Sequence, residues 1–448
     1  MNHFSLLALA IVGTCCTPLA ADDAAAVSFR VDIAPILLNK CLACHSPKKA
    51  EGGYRVDTYE ELLKAGDSGE PPIAASGHVS ELMRRITTED EAERMPADAD
   101  PLTAVEIDLV KRWITAGGKF DGDNAAQSLA LVIPPAKYPA PPETYPHPLP
   151  ITALAFSPDG KQIVTSGYHE LLLWNAEDSK LVRRINNVGQ RIFALAFSPD
   201  GKTLAVGCGE PGRSGEVRLI DFSTGNVAGV VGRASDVVLD IAFRPGSNEL
   251  AIASADGTIR IVDVQSQKEL QVITSHADWV TAVAWSDDGS RLASASRDKS
   301  AKVYDATSRE LISSYAGHGA ATRGVSILPD NKQVVSVGAD NKLHRWAVEG
   351  AKKVAEVGLG SEGYKLTRRG DVLLVPCADH RLLQIDLAKN AISKEYKGHG
   401  DGVLTASYRP TPVDGESDDW IASGAFNGEV HLRRTSDASN VRHWIAKP

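Results

Sequence analysis

The second half of the chain repeats a pattern of short apolar strands separated by polar turns. A Ser-Pro-Asp-Gly-Lys turn at residues 157–161 returns at residues 198–202, and looser copies follow Phe243 and Trp285. In each copy the turn leads into an apolar strand, a turn with Asp or Asn, and another strand. Apolar runs of this length bounded by turn residues indicate β-strands, and their repetition indicates a repeat architecture.

The third strand of each repeat ends at a dipeptide whose second residue is usually Asp or Asn. Seven such dipeptides occur, and their second residues are separated by 46, 42, 42, 42, 39 and 48 positions. They are Trp174-Asn175, Ile220-Asp221, Val262-Asp263, Tyr304-Asp305, Trp346-Ala347, Ile385-Asp386 and Arg433-Arg434. This period is typical of four-stranded propeller blades. The sequence therefore predicts an all-β, seven-bladed propeller over residues 151–448, in which each blade has its own fourth strand.

Residues 27–125 show helical rather than strand periodicity. Asp32 is predicted to cap a first helix, and short helices are expected at 58–64 and 81–86. Thr103 and Glu106 form the pattern of a capping box for the last helix. Its predicted apolar face comprises Val105, Leu109, Val110 and Trp113. The pattern predicts a small all-α domain before the propeller.

Residues 126–150 are predicted to form a linker between the two domains. Eight prolines lie between positions 134 and 150. A run of this composition favours extended polyproline structure and behaves as a semi-rigid spacer.

The all-α domain contains one motif with a definite chemistry, Cys41-Leu42-Ala43-Cys44-His45. Two thiols at this spacing can form thioethers with the vinyl groups of a porphyrin, and the next residue can bind the iron. A zinc site would need a second Cys or His pair at similar spacing, and the neighbouring sequence has none. We therefore expect one covalently bound haem c, with Cys41, Cys44 and His45 as its attachment and proximal residues.

The second axial ligand is less constrained by the sequence. Met95 stands in a loop before the last helix, 50 positions after His45, and a thioether ligand would raise the reduction potential. His78, in another loop, is the alternative and would give a bis-histidine haem. A site with no sixth protein ligand is the third possibility. Met83 falls within a predicted helix, where a core role is expected.

Charge is divided unevenly between the two parts. The 448-residue chain has a formal net charge of −9, and residues 22–123 account for −8 of it with 20 acidic and 12 basic residues. An acidic chain without a basic footprint argues against a nucleic-acid partner.

The first 21 residues resemble a cleaved signal peptide. Residues 4–13 are almost wholly apolar, and Pro18-Leu19-Ala20-Ala21 offers small residues for cleavage. The apolar run is too short for a membrane span. Thr14 before Cys15 fits a lipobox poorly, which disfavours a lipid anchor at Cys15 or Cys16. We expect a periplasmic or otherwise exported protein.

The all-α region resembles the planctomycete-type cytochrome c domain, in which the Met of an Arg-Met-Pro motif is the expected distal ligand. The resemblance covers about residues 27–125. It rests on the segments 32–37, 41–45, 52–57, 66–69, 80–82, 94–96, 102–103 and 111–117. Here Arg94-Met95-Pro96 supplies that motif. The resemblance implies a small cytochrome c fold.

The repeats from Ile151 to the end resemble WD-repeat proteins. This resemblance implies that histidines before the inner strands and aspartates in the turns before the third strands bond within each blade. The residues concerned are His276, His318, His399, Asp256, Asp298, Asp340 and Asp379. They are interpreted as structural, because buried polar groups must be satisfied. Cys208 and Cys377 occupy equivalent positions in distant repeats and are expected to be small core residues.

These observations favour an exported electron-transfer protein with a redox partner and with protein partners on the propeller rim. Nothing in the propeller pattern supplies a nucleophile with a base, so a non-enzymatic role is favoured. The first alternative is an enzyme with a second cofactor or substrate site in the propeller, similar in architecture to cytochrome cd-type nitrite reductase. The second is a structural envelope protein. The number of haems per chain separates the favoured function from the first alternative.

Overall fold

A computed structural model describes residues 26–47, 49–74, 80–97, 99–134, 137–410 and 419–448. The predicted signal peptide, Cys15, Cys16 and His78 lie outside these residues. The chain divides into two compact units, Met1–Pro134 and Pro135–Pro448. No helix in the described ranges is long and apolar enough to cross a membrane.

The first unit consists of short helices. A single π-helical turn at Phe29–Ile33 leads into α1, and a 3₁₀ turn at Glu51–Gly53 precedes the others. The α-helices are α1 (Ala34–Lys40), α2 (Tyr59–Leu62), α3 (Glu81–Thr87), α4 (Ala104–Thr115) and α5 (Leu129–Val132). The predicted all-α class of this unit is confirmed.

The predicted helix caps are partly confirmed. The Thr103–Glu106 capping box is present at the start of α4. The prediction that Asp32 begins the first helix is wrong, because the helical path starts one turn earlier at Ser28. The Ser28 hydroxyl accepts from the Val31 amide, and Asp32 accepts from the Ser28 amide at 2.8 Å. Asp32 thus completes the cap from inside the helix.

The core of the first unit gathers around two aromatic rings on different helices. Phe29 and Trp113 are 0% and 1% exposed, and their ring centroids lie 5.4 Å apart. Val110 is buried beside them, but Val105 is 70% exposed. Val105 was therefore wrongly assigned to the apolar face. It lies in the first turn of α4, where the helix end faces solvent.

The second unit is a closed ring of seven four-stranded antiparallel sheets, each built from consecutive strands. Blades 1 to 3 contain β1 (Leu154–Phe156), β2 (Gln162–Ser166), β3 (Glu170–Asn175), β4 (Leu181–Asn186), β5 (Arg191–Phe197), β6 (Thr203–Glu210), β7 (Ser214–Asp221), β8 (Val227–Ala234), β9 (Val238–Phe243), β10 (Glu249–Ser254), β11 (Ile259–Asp263) and β12 (Lys268–Ile273).

Blades 4 to 7 continue the same order. They contain β13 (Val280–Trp285), β14 (Arg291–Ser296), β15 (Ala301–Asp305), β16 (Leu311–Tyr315), β17 (Thr322–Ile327), β18 (Gln333–Gly338), β19 (Lys342–Ala347), β20 (Lys352–Gly358), β21 (Thr367–Arg369), β22 (Val372–Pro376), β23 (Leu382–Asp386), β24 (Ala391–Tyr396), β25 (Val403–Tyr408), β26 (Trp420–Ala425), β27 (Glu429–Arg434) and β28 (Asn440–Ile445). All seven predicted dipeptides end a third strand, so the seven-bladed fold is confirmed.

Blade 1 closes against blade 7 without exchanging a strand. One apolar cluster contains residues of both blades, including Phe156 and Trp420. The Ile151 amide donates to the Ala425 carbonyl at 3.1 Å, and Arg409 Nε donates to the Gly160 carbonyl at 2.9 Å. Packing and these hydrogen bonds join the two ends of the ring.

The proline-rich stretch 126–150 is shared between the two units. Its start contains α5, whose Leu129 is buried in the core of the first unit. Its end lies along the propeller, where the Tyr138 hydroxyl bonds to Glu216 at 3.1 Å. Tyr145 is buried and donates to the carboxylate of Glu170. Much of the predicted spacer is therefore packed structure.

Candidate cofactor site

The first unit contains a cavity of about 510 Å³ that adjoins the Cys-X-X-Cys-His segment. Volumes of roughly 300–1,000 Å³ are typical of small-molecule and cofactor sites. The apolar part of the lining comprises Tyr54, Val56, Pro72, Leu82, Ile86, Met95, Pro96 and Leu102. Cys41 and His45 also line it. The cavity therefore brings the proximal motif and the predicted distal methionine to one space.

The end of α1 places the two cysteines. Cys41 is the C-cap of α1, and the amides of Cys44 and His45 both donate to its carbonyl, at 3.2 and 3.0 Å. The chain thus makes one more turn after the helix, which keeps both cysteines and the histidine close together. Both thiols are free. Burial, with a smaller contribution from Cys44, raises the pKa of the Cys41 thiol to about 11.

The His45 ring is oriented by the backbone of a neighbouring segment. His45 Nδ1 lies 3.2 Å from the Tyr54 carbonyl, which can only accept, so Nδ1 carries the proton of the neutral ring. The lone pair is then on Nε2. The Tyr54 hydroxyl in turn donates to the Leu62 carbonyl at 3.0 Å. Bonding of one ring nitrogen to a carbonyl is the arrangement that orients histidines for metal binding.

Sequence reasoning did not identify the Tyr54 carbonyl as the partner of His45. A backbone acceptor has no residue-type signal. The only hint in the sequence was the Gly52-Gly53-Tyr54 segment, which forms a tight turn with both glycines at positive φ. That turn returns the chain beneath the His45 ring.

Met95 is held in the cavity wall by α3. Its amide donates to the Arg85 carbonyl at 2.9 Å, and the Arg94 amide donates to the Asp90 carbonyl at 2.9 Å. Pro96 follows it and restricts the backbone further. Met83, in contrast, packs against the apolar core of the unit, as expected for a core residue. His78 cannot be placed because it lies outside the described residues.

The polar part of the cavity lining is predominantly acidic. It contains four acidic side chains and one basic side chain. They are Glu51, Asp67, Glu70, Glu81 and Arg85. Two arginines of α3 hold Glu81, and the hydrogen bonds from Arg84 and Arg85 lower the pKa of its carboxyl to about 2. Glu81 is therefore ionised at neutral pH.

These residues fit a c-type haem. The cavity is lined by largely apolar walls, Cys41, His45 and Met95, while Cys44, one turn after Cys41, is not among its lining residues. His45 and Met95 offer the donors found in high-potential cytochromes c.

The predicted polar networks are present within the blades. In blade 5, His318 Nδ1 bonds to Asp340 at 2.9 Å, and His318 Nε2 bonds to the Ser336 hydroxyl at 2.9 Å. Trp346 Nε1 donates to the same hydroxyl at 3.3 Å. In blade 4, His276 makes the matching bonds to Asp298 and Ser294 at 2.8 and 2.7 Å. These bonds confirm the structural interpretation for those residues.

Blade 7 builds its network from different residues. His399 bonds to Ser423 at 2.8 Å, but Asn427 occupies the position that corresponds to Asp340. The carboxylate comes from Glu429, two positions later, which accepts from the Gly400 amide at 2.8 Å. Sequence reasoning missed Glu429. The signal was present, because an Asn at the expected Asp position is followed by an acidic residue.

Blades 5 and 7 each place a second buried histidine against the first. The His318 and His344 rings stack at 4.1 Å, and the His399 and His431 rings stack at 3.8 Å. With Asp340 and Glu429, respectively, each pair forms a group with metal-ligand composition.

Neighbouring hydrogen bonds engage several of the possible donor atoms in these two groups, and His344 Nε2 and His399 Nδ1 are the buried ring nitrogens that have no hydrogen-bond partner. Both ring nitrogens of His318 are already bonded to Asp340 and Ser336. In blade 7, Arg433 donates to His431 Nδ1 at 2.9 Å, so the nitrogen that faces Glu429 carries the proton. A protonated nitrogen cannot be a metal ligand. We therefore interpret both groups as parts of the blade networks.

Comparison with known protein families agrees with these two architectures. The sequence model of planctomycete cytochrome C matches residues 41–98. The model of the WD domain, G-beta repeat, matches residues 141–175, 180–221, 227–263, 267–305 and 309–347. No curated protein matches the chain. Blades 6 and 7 lie beyond these matches, and the fold identifies them. The chain therefore combines a planctomycete-type cytochrome c domain with a seven-bladed WD-repeat propeller.

Proposed function

We propose that this protein is an exported c-type cytochrome that carries one covalent haem and transfers electrons, with its propeller serving as a platform for protein partners. The observation that carries the proposal is that Cys41, His45 and Met95 all line one cavity of about 510 Å³. The sequence of the first 21 residues supports export. Export also agrees with the proposed haem, because haem attachment of this type takes place outside the bacterial cytoplasm.

Each site residue has a separate role in this proposal. When bound, the haem supplies a one-electron couple. Cys41 and Cys44 would hold it through thioethers, and His45 would bind the iron through Nε2. The Tyr54 carbonyl keeps the His45 ring in that orientation. Met95 would provide the distal sulfur, and the apolar wall around it excludes water from the site.

Covalent attachment is tested by expressing the protein with a periplasmic haem-maturation system. The denatured protein should retain its haem absorbance after extraction with acidified acetone, with one haem per chain. The Cys41→Ala/Cys44→Ala variant should lose haem under the same treatment. Haem that extracts freely from the parent protein would contradict the proposal. Two haems per chain would favour the enzyme alternative.

The distal ligand is tested by comparing Met95→Ala with Met83→Ala. Met95→Ala should abolish the weak sulfur-to-ferric charge-transfer band at the red end of the spectrum and lower the reduction potential, because a thioether favours ferrous iron. Met83→Ala should leave the band in place. If His78→Ala alters the spectrum and Met95→Ala does not, the haem is bis-histidine.

Electron exchange with a small redox carrier separates the proposed function from a structural role. A reversible potential and rapid exchange are expected of a cytochrome. A haem that remains in one oxidation state when mixed with such carriers would favour the envelope-protein alternative.

A further inference from the structure

We propose that the mouth of this cavity is the docking surface for a redox protein with a positively charged contact face. This inference rests on the proposed electron-transfer function, and it names the class of partner that the same site would take.

The first observation is that charge is segregated by unit. Residues 22–123 carry −8 of the net charge of −9, and the remaining chain is nearly neutral with 37 acidic and 36 basic residues. Charge placed on one part of a protein affects association rather than fold. The unit that holds the candidate cofactor site is therefore the one that attracts cations.

The second observation concerns the cavity lining itself. It contains four acidic residues and one arginine, and the arginine is already bonded to Glu81 at 2.8 Å. Asp67 and Glu70 are exposed and form none of the described ion pairs. Among the described residues, no cation forms an ion pair with these two carboxylates, which line the candidate cofactor site.

The third observation is a second group of exposed carboxylates in the chain segment before the candidate distal ligand. Residues 88–100 contain six acidic residues and one basic residue. Of these, Glu89, Asp90 and Glu91 are exposed and take part in no described ion pair. They stand in the chain just before Met95, which lines the cavity.

Helix α3 joins these two groups into one surface. The Glu81 and Leu82 amides at its start donate to the Pro71 and Pro72 carbonyls, next to Glu70, at 3.2 Å each. Its end leads directly to Glu89. Seven residues of helix span about 10 Å, so the two groups lie on either side of one short helix in the cavity wall. The two acidic groups therefore flank the helix that holds Met95, and the two arginines of that helix, Arg84 and Arg85, are paired with Glu81 and Glu93.

Such a surface favours a cationic partner because it changes the rate at which the two proteins associate. Opposite charges raise the association rate and orient the partner, and like charges exclude wrong partners. The effect reaches only on the order of 8 Å at physiological salt, so it acts when the partner is already near the cavity mouth. This range suits docking beside a redox centre, where electron transfer needs close approach. An anionic membrane surface would be repelled.

The test compares two small redox proteins of opposite charge, a basic cytochrome and an acidic one, as electron acceptors for the reduced holoprotein. Oxidation by the basic protein should be fast at low salt and should slow as salt is added. The Asp67→Asn/Glu70→Gln variant should reduce the low-salt rate about fivefold, within the range of electrostatic steering. Calorimetric binding of the basic protein should weaken in parallel.

The matched control is Glu60→Gln/Asp123→Asn, which removes the same formal charge from exposed positions that do not line the cavity. This control variant should keep most of the low-salt rate of oxidation by the basic protein. Equal rates with both acceptors, or an equal loss in the control variant, would overturn the docking surface while the proposed function stands. A holoprotein that exchanges electrons with neither acceptor, nor with small redox dyes, would overturn both.

Discussion

The cytochrome unit and the propeller form their hydrophobic cores in different ways. Each propeller blade packs its apolar residues against the next blade, as in the cluster of Leu328, Val335 and Leu373 from blades 5 and 6. The cytochrome unit has one cluster of buried residues, and beside it lies a cavity of about 510 Å³. The propeller core is completed by packing between the repeated blades. The core of the cytochrome unit borders a space that the proposed haem would fill.

His318 of the propeller and His45 of the cytochrome unit differ in how many of their ring nitrogens are hydrogen-bonded. His318 has a hydrogen-bond partner on both ring nitrogens, so its bonding capacity is used inside the blade. His45 has only Nδ1 bonded, to the Tyr54 carbonyl, and His45 lines the cavity. His318 therefore has no ring nitrogen left for a ligand, whereas His45 keeps Nε2 for the proposed iron.

The largest expected effect comes from preventing haem attachment with Cys41→Ala/Cys44→Ala. Loss of a tightly bound group should destabilise the cytochrome unit by about 3 kcal/mol or more, which lowers the Tm of a domain of this size by roughly 12–24 °C. The propeller should keep its own transition. Hydrogen exchange followed by mass spectrometry would assign the two transitions to their units.

The matched control for this comparison is Cys208→Ala, which removes a thiol from the propeller core. Cys208 is fully buried, so this change should lower the stability of the propeller only. If the cytochrome unit remains equally stable without haem, its core does not depend on the cofactor and the contrast between the units fails.

An intermediate effect is expected from Asp340→Ala in blade 5. This change leaves His318 Nδ1, buried and bonded at 2.9 Å, without its partner. Such losses cost about 1–3 kcal/mol. Asp379→Ala in blade 6 is the control, because Asp379 pairs with Arg381 at the surface and should cost under about 1 kcal/mol. Urea unfolding followed by tryptophan fluorescence measures both.

The smallest effect expected from a single residue is a pH dependence that belongs to the propeller. Burial, as the largest cause, lowers the pKa of His344 and of His431 to about 4, from an ordinary value near 6.5. Below pH 6.5 the unfolded chain therefore binds protons that the folded chain does not, so stability falls as the pH is lowered towards 4.

Each of these two histidines should contribute a loss of about 1–2 kcal/mol by pH 5. His344→Gln should make the decline between pH 7 and pH 5 shallower, although it also lowers the stability at pH 7. His147→Gln, at an exposed position, should leave the slope unchanged. A slope that is identical in His344→Gln and in the parent protein would assign the pH dependence to other groups.

The sequence by itself determined the features that are written as local patterns or as fixed spacings. The ends of all seven third strands and the Thr103–Glu106 cap were predicted correctly, because strand periodicity and capping depend on residues close in the chain. Seven blades followed from the repeat spacing, even where blade 7 had lost the usual dipeptide. The proposed haem attachment at Cys41–His45 likewise rests on the spacing of residues close in the chain.

The tertiary structure decided which residues meet across long separations. The cavity that brings His45 and Met95 together and the Tyr54 carbonyl behind His45 could not be read from spacing. The packing of Tyr138 and Tyr145 on the propeller was likewise hidden in a proline-rich stretch. These contacts depend on how separate segments pack in three dimensions, and a backbone carbonyl or an empty space has no residue type to mark it in the sequence.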